Sequence, residues 1–230
     1  MNSYQNASFY DFSHEICEEM TVFPRFWHKK TLINTLGTIE RVGRRTSYIS
    51  IGTHAGTHID APSHFIENGH TIDKLPLETF VGQGVVFDFT DVDPAIEISK
   101  AKVAAQIGGE LENLGIFLNF NWGRYYNNPE LYYQNQPWFS KEAAEFLVSL
   151  KPALVGYDMA MLDNPSQGYG CSEDSPIHKL FLENSIALVE NAIFPPDFSG
   201  EISYSVVPLK LRNLDGSPVR FVGWRVGTSG

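Results

Sequence analysis

Cysteine is scarce in this chain of 230 residues: only Cys17 and Cys171 are present. They make neither a disulfide framework nor a Cys-x-x-Cys pair, so a stapled secreted scaffold and a dithiol redox motif are both excluded. Basic residues are also few. Lys and Arg number 17 against 27 Asp and Glu, a formal charge of -10. That balance argues against nucleic-acid and anionic-membrane partners, which need a basic surface. No apolar run approaches the ~20 residues of a membrane span, and a basic-then-apolar leader pattern is missing, so a cytoplasmic setting is expected. Gly-x-Ser-x-Gly is absent, as are Walker-type and dinucleotide glycine loops, which leaves no support for a serine-hydrolase elbow or a nucleotide cradle. Nothing resembles a linker long enough to divide the chain, and its length suits one domain over 1–230 with a full hydrophobic core.

Several short segments rich in β-branched and aromatic residues read as strands between turn signals: Thr46 to Gly52, Val85 to Thr90, Ile116 to Phe120, Ala153 to Asp158, Ile186 to Glu190, Ser203 to Leu211 and Val219 to Val226. Asn213-Leu214-Asp215-Gly216 reads as a hairpin turn between the last two. A helix is expected over Lys141 to Leu150, where Ser140 stands as N-cap and Ala143, Phe146, Leu147 and Leu150 share a face. A second is expected over Ser99 to Ile107. A third should begin at Ser175-Pro176, an N-cap followed by proline in the first helical position. Strands outnumber helices, so the fold class is α+β or mixed α/β.

Three of the seven histidines and one carboxylate fall within His54-Ala55-Gly56-Thr57-His58-Ile59-Asp60-Ala61-Pro62-Ser63-His64-Phe65. Imidazole and carboxylate are the ligand set of Zn²⁺, Mn²⁺ and Fe²⁺ sites. Residues four apart in a straight strand are separated by about 13 Å, too far to share one ion with bonds near 2 Å. A helix would join His54 and His58 but rotate Asp60 and His64 off their face. The reading is therefore a strand ending near Thr53, then an irregular ligand loop bent at Gly56 and Pro62. Further on, His178 falls in the first turn of the third helix, turned away from the stripe of Ile177, Leu180 and Phe181. A helix N-terminus disfavours imidazolium, so a neutral His178 is expected. Glu190 ends the apolar run Ile186-Ala187-Leu188-Val189, where a carboxylate is costly without a partner.

The pattern His-x-Gly-Thr-His-x-Asp-x-Pro-x-His, filled at each fixed position, resembles the signature of the cyclase-like metal-dependent hydrolases of the bacterial kynurenine formamidase and isatin hydrolase type. Asp11-Phe12-Ser13-His14, Leu75-Pro76-Leu77, Gly156-Tyr157-Asp158, Ser175-Pro176-x-His178, Val189-Glu190-Asn191, Pro208-Leu209 and Gly216-Ser217-Pro218-Val219-Arg220 follow in that family's order. The resemblance implies a swivelling β/β/α fold. It also implies metal ligation by His54, His58, Asp60, His178 and Glu190, and proton transfer by His64. One Zn or Mn ion or two remain open, with Asp60 bridging in the dinuclear version and Glu190 joining the first three residues in the mononuclear one. Three stretches depart from the family. Phe23-Pro24-Arg25-Phe26-Trp27 replaces a Pro-Gly-Asp-Pro-like turn, Asn119-Phe120-Asn121-Trp122 replaces Arg-Thr-Gly-Trp, and Met161 stands where a serine is common. All three should border the pocket, so Phe23, Phe26, Trp27, Phe120 and Trp122 are expected to contact an aryl or planar substrate.

The expected activity is hydrolysis of an amide, imide or lactone bond in a small aryl or cyclic molecule by metal-activated water. A cyclase or dehydratase of secondary metabolism would use the same ion as a Lewis acid. A catalytically silent metal- or ligand-binding protein has no need of His64. The aromatic N-terminal segment around Phe26 and Trp27, together with the family's habit of pairing through this region, leads to an expected homodimer or higher homo-oligomer.

Overall fold

A computed structural model describes residues 7–167, 170–171 and 173–226. In chain order the strands are β1 (Ala7–Asp11), β2 (Leu32–Gly37), β3 (Thr46–Ser50), β4 (His58–Asp60), β5 (Val81–Asp88), β6 (Glu97–Ile98), β7 (Gly115–Asn119), β8 (Trp138–Phe139), β9 (Leu154–Tyr157), β10 (Ala187–Glu190), β11 (Gly200–Ser205), β12 (Gly216–Pro218) and β13 (Val222–Val226). The α-helices are α1 (Ile39–Val42), α2 (Lys100–Gln106), α3 (Pro129–Gln134), α4 (Lys141–Ser149) and α5 (Pro176–Glu183). Nine strands form one sheet in the order β1-β13-β11-β5-β7-β9-β10-β4-β12. Its middle, β5-β7-β9-β10, is parallel, and every pairing outside it is antiparallel.

Strands β7, β9 and β10 are nearly continuous apolar runs because both faces are covered. In β7, Ile116 and Leu118 join a core with Val103 of α2, Leu147 of α4 and Phe181 of α5. Phe117, between them, points to the opposite core among Phe12, Phe194, Tyr204 and Phe221. The period of two along a strand thus feeds two cores from one segment. The crossover helices α2, α4 and α5 lie on the same face, with α4 packed between the other two. This is the mixed α+β architecture expected from the sequence.

The helix boundaries agree closely with the sequence reading. Ser99 and Ser140 cap α2 and α4 by accepting the Lys102 and Ala143 backbone N–H groups. The arms flanking Asn213–Gly216 pair antiparallel as expected, Ser203–Ser205 of β11 with Val222–Trp224 of β13 and Pro208 with Val219 in the same register, while Gly216–Pro218 between them crosses to pair with β4. One expectation fails. The irregular loop expected after Thr53 is interrupted, because His58–Asp60 is strand β4, held between β10 and β12. Partners on two other strands relieve the motif of gathering its own residues.

Beyond the carboxyl end of β9, buried Asp158 accepts the backbone N–H groups of Phe120 (2.9 Å) and Trp122 (2.7 Å). It fastens the turn after β7 to β9, next to the site. Asp158→Ala should strand two buried donors and lower stability by about 2–5 kcal/mol. Asp158→Asn, which keeps one acceptor oxygen, should lose less in chemical denaturation; equal stability of the Ala variant and wild type would contradict this role.

Candidate metal centre

The site lies outside the carboxyl ends of β9 and β10, where ligands collect in open sheets with parallel strands. Residues opposite one another in an antiparallel ladder share a face. His58 pairs with Glu190, and Asp60 with Leu188, so His58, Asp60 and Glu190 all stand on the helix-covered face while Ile59 and Val189 enter the other core. His54 precedes the strand across a turn at Gly56, whose φ of +62° suits glycine. His64 follows in a short 3-10 turn after Pro62. His178 comes in from α5.

The ring and carboxylate atoms converge. His54 Nδ1 is 2.7 Å from Asp60 Oδ1, and its Nε2 is 2.7 Å from Asp215 Oδ2. His58 Nε2 lies 3.4 Å from Asp60 Oδ1 and 3.3 Å from Glu190 Oε2. His178 Nε2 is 2.6 Å from Glu190 Oε1, which also accepts the Tyr157 hydroxyl at 2.7 Å. His64 is more exposed, with Nε2 3.9 Å from Asp60 Oδ2 and Nδ1 3.3 Å from Asp215 Oδ2. Among the described residues, His54, Asp60 and His64 form one group able to share an ion, and His58, Asp60 and Glu190 form another. Asp60 belongs to both.

A cation suits these residues on two observations. His58 donates from Nδ1 to the Gly56 carbonyl at 2.9 Å, while its buried Nε2 sits between two carboxylates without a well-formed hydrogen bond. His178 is held at Nδ1 by the Asp163 carboxylate, leaving Nε2 toward Glu190. A ring nitrogen aimed inward and its other nitrogen tied to a carbonyl or carboxylate is the usual outfit of a metal-ligating histidine. The charge distribution agrees. Burial pulls the His54 and His58 imidazoles down, but neighbouring carboxylates outweigh it and hold them at about 9 and about 10. Burial and the Asp60 charge push Glu190 up, yet its bonds to His178 and His58 bring it to about 2. Protons and a divalent ion compete for the same negative charge, so ion uptake should release protons.

At His178 two carboxylates oppose the helix N-terminus: burial lowers its affinity for protons, but Asp163 and Glu190 on its two nitrogens raise its pKa well above the ordinary value. Ser175 does not cap α5 through its side chain. Its own backbone is left-handed, and Asp163 accepts the Ile177 N–H at 2.7 Å and the His178 N–H at 3.2 Å instead.

All six polar candidates, with Phe23 and Trp27, line one cavity of about 270 Å³. Phe65, Tyr133, Ala160 and Met161 complete its apolar wall. Phe26 is 80% exposed and outside the lining. Phe120 and Trp122 are not brought to the cavity: both are buried in the helix-side core, with the Trp122 indole N–H donating to the Tyr132 carbonyl. Their loop turns inward because Asp158 claims its backbone donors. Asp215, Asp163 and His28 escaped the sequence reading. The two acids read as turn and loop residues. His28, beside Trp27, carried no motif, although its ring stacks edge-on to Phe23 in the cavity wall.

A parallel-centred sheet with buried imidazoles and carboxylates beneath an aromatic cavity defines a candidate metal-centre enzyme of the α+β class. The cyclase family model, described as "Putative cyclase", matches residues 10–164. The chain belongs to this family. Its relatives include a kynurenine formamidase of Bacillus cytotoxicus, 27% identical over 76% of this chain and 77% of the relative. Another, from Delftia acidovorans, is 25% identical over 76% and 78%. Among solved structures, isatin hydrolase A from Labrenzia aggregata superposes with a TM-score of 0.83 at 21% identity, covering 98% of this chain and 96% of that one. A protein from Bacillus stearothermophilus described as a predicted metal-dependent hydrolase gives 0.77 at 25%, covering 95% and 98%.

Proposed function

We propose that this protein is a metal-dependent hydrolase that opens an amide, imide or lactone bond of a small aryl or cyclic substrate. The observation that carries the reading is the face shared by His58, Asp60 and Glu190, with His54, His64 and His178 around it, at the floor of an aromatic cavity. Family membership and the kynurenine formamidase and isatin hydrolase relatives support it. His54, His58 and Asp60 would hold one ion, Zn or Mn, and His178 and Glu190 with a bridging Asp60 would hold a second. A bound divalent ion lowers the pKa of water toward about 7 and polarises a carbonyl oxygen.

The chain's own residues do the rest. Phe23, Trp27, Phe65 and Tyr133 present apolar surface on which a planar ring can lie. His64, on the cavity wall and held at Nδ1 by Asp215, takes the proton of the attacking water and returns it to the leaving nitrogen or oxygen. The Tyr157 hydroxyl, Asp163 and the Gly56 carbonyl keep Glu190, His178 and His58 in their orientations. Met161 in the wall, in place of the serine common among relatives, keeps a second reading open: cyclisation or dehydration at the same centre, in keeping with the family's description. Turnover in ¹⁸O water separates the two, because only hydrolysis places the label in the new carboxylate.

His64→Ala should keep the wild-type metal content while kcat falls by on the order of 10²–10⁴. Parallel loss of metal would make His64 a ligand instead. For the ion count, Asp60→Ala should empty the centre and His178→Ala should remove one of two equivalents in elemental analysis. One equivalent in the wild type would leave the mononuclear arrangement.

We further infer a homodimer. The β2–β3 hairpin and the short α1 within it carry exposed Leu32, Leu36, Ile39, Val42, Tyr48 and Ile49. Such a contiguous apolar arm marks a contact surface. Light scattering at micromolar concentration should give at least twice the chain mass, and the double variant Leu36→Lys, Ile39→Lys should halve it. A monomeric wild type would refute the pairing.

A further inference from the structure

We infer that Asp215 and Gly216 together build the seat of His54, and that Asp215 selects Nδ1 as the nitrogen His54 offers to a cation, whereas His58 and His178 offer Nε2. This rests on the metal-centre reading above and deepens it.

The geometry of the segment carries the argument. Residues 213–216 are pinned on both sides by backbone bonds: Ile72 N–H to the Leu214 carbonyl and Ala61 N–H to the Asp215 carbonyl, each at 2.9 Å. The Asn213 N–H donates to Asp73 Oδ1 at 3.0 Å. Gly216 then sits directly opposite Asp60 in the β12–β4 pair. A Cβ at position 216 would fall 2.7 Å from the Ile59 carbonyl oxygen and 2.9 Å from His54 Cε1, so the bare backbone lets the His54 ring lie against it. With the ring seated there, Nε2 meets Asp215 Oδ2 at 2.7 Å and Nδ1 faces Asp60 Oδ1 at 2.7 Å.

A carboxylate accepts and cannot donate when ionised, so Asp215 keeps the proton on Nε2 and leaves the Nδ1 lone pair toward the shared Asp60. In His58 and His178 the pattern is reversed. Their Nδ1 atoms are occupied by the Gly56 carbonyl and the Asp163 carboxylate. The same Asp215 oxygen also reaches His64 Nδ1 at the longer distance of 3.3 Å, and the His54 and His64 rings lie 3.8 Å apart between centroids. Asp215 is thereby a positioning residue that ties the seat of one metal ligand to the proton-transfer residue beside it.

Nuclear magnetic resonance of the ¹¹³Cd-substituted, ¹⁵N-labelled full chain tests the ligating atom directly. Bound through Nδ1, His54 should show cadmium coupling to Hε1 alone, whereas His58 and His178, bound through Nε2, should couple to both Hε1 and Hδ2. Coupling of His54 to both protons would overturn the assignment. Cadmium failing to bind would sink the metal-centre reading and this inference with it, so the two failures are distinct. Calorimetric titration with Zn²⁺ supplies the second arm. Asp215→Ala should weaken binding by about 10–100-fold, the usual cost of removing a partner of a metal-bound histidine, and Asp215→Asn should recover only part of it. If Asp215 were merely a turn residue, Asn, an equally good turn former, would restore full affinity, and that result would refute the positioning role.

Discussion

The antiparallel register of β4 against β10 is the constraint from which the site follows. His58 stands opposite Glu190 and Asp60 opposite Leu188, and the pairing with β12 sets Gly216 against Asp60. Because side chains alternate along a strand, a slip of one residue would turn His58 and Asp60 into the apolar core that holds Ile59 and Val189. The apolar residues specify the register, and the register delivers the polar ones. Three residues of β4 therefore carry much of the site's precision, while Gly56 and Pro62 need only lead the flanking histidines back toward the same face.

The centre gathers charge at a cost. Asp60, Asp163, His58, His178 and Glu190 are all buried, and carboxylates in such surroundings destabilise a fold unless each finds a partner. Each oxygen-rich group here faces an imidazole, a hydroxyl or a backbone N–H. Asp163 serves two ends at once, closing the N-terminus of α5 through the Ile177 and His178 N–H groups and orienting the His178 ring. The helix end and the ligand are set by one side chain, so the position of α5 and the geometry of the centre are coupled. Pro176 at the start of the helix adds rigidity without demanding a donor.

The cavity wall takes its apolar character from residues scattered along the chain. Phe23, Trp27 and Met161 stand around the floor of imidazoles and carboxylates. Trp122 and Phe120 turn into the core instead, where the Asp158 carboxylate draws their backbone inward. Aromatic composition alone does not distinguish these two fates, because large apolar rings fill cores and pockets by the same hydrophobic gain.

Local signals were legible wherever a residue's role depends on its neighbours in sequence. The serine caps of α2 and α4, the apolar runs of β7, β9 and β10, and the dense histidine motif all declare themselves within a few positions. Partnerships across the fold were not. Asp215 looks like the acid of a turn until β12 crosses to β4 and carries it onto His54, and Asp163 looks like a loop residue until α5 docks on it. His178 feels its helix N-terminus in one direction and the carboxylates of Asp163 and Glu190 in the other. The sequence by itself determined the main helices and the central strands and the family, and put forward the candidate donors, because periodicity, capping and ligand chemistry act over short spans. Only the tertiary structure decided which nitrogen faces which oxygen, because strand order and register join residues more than a hundred positions apart.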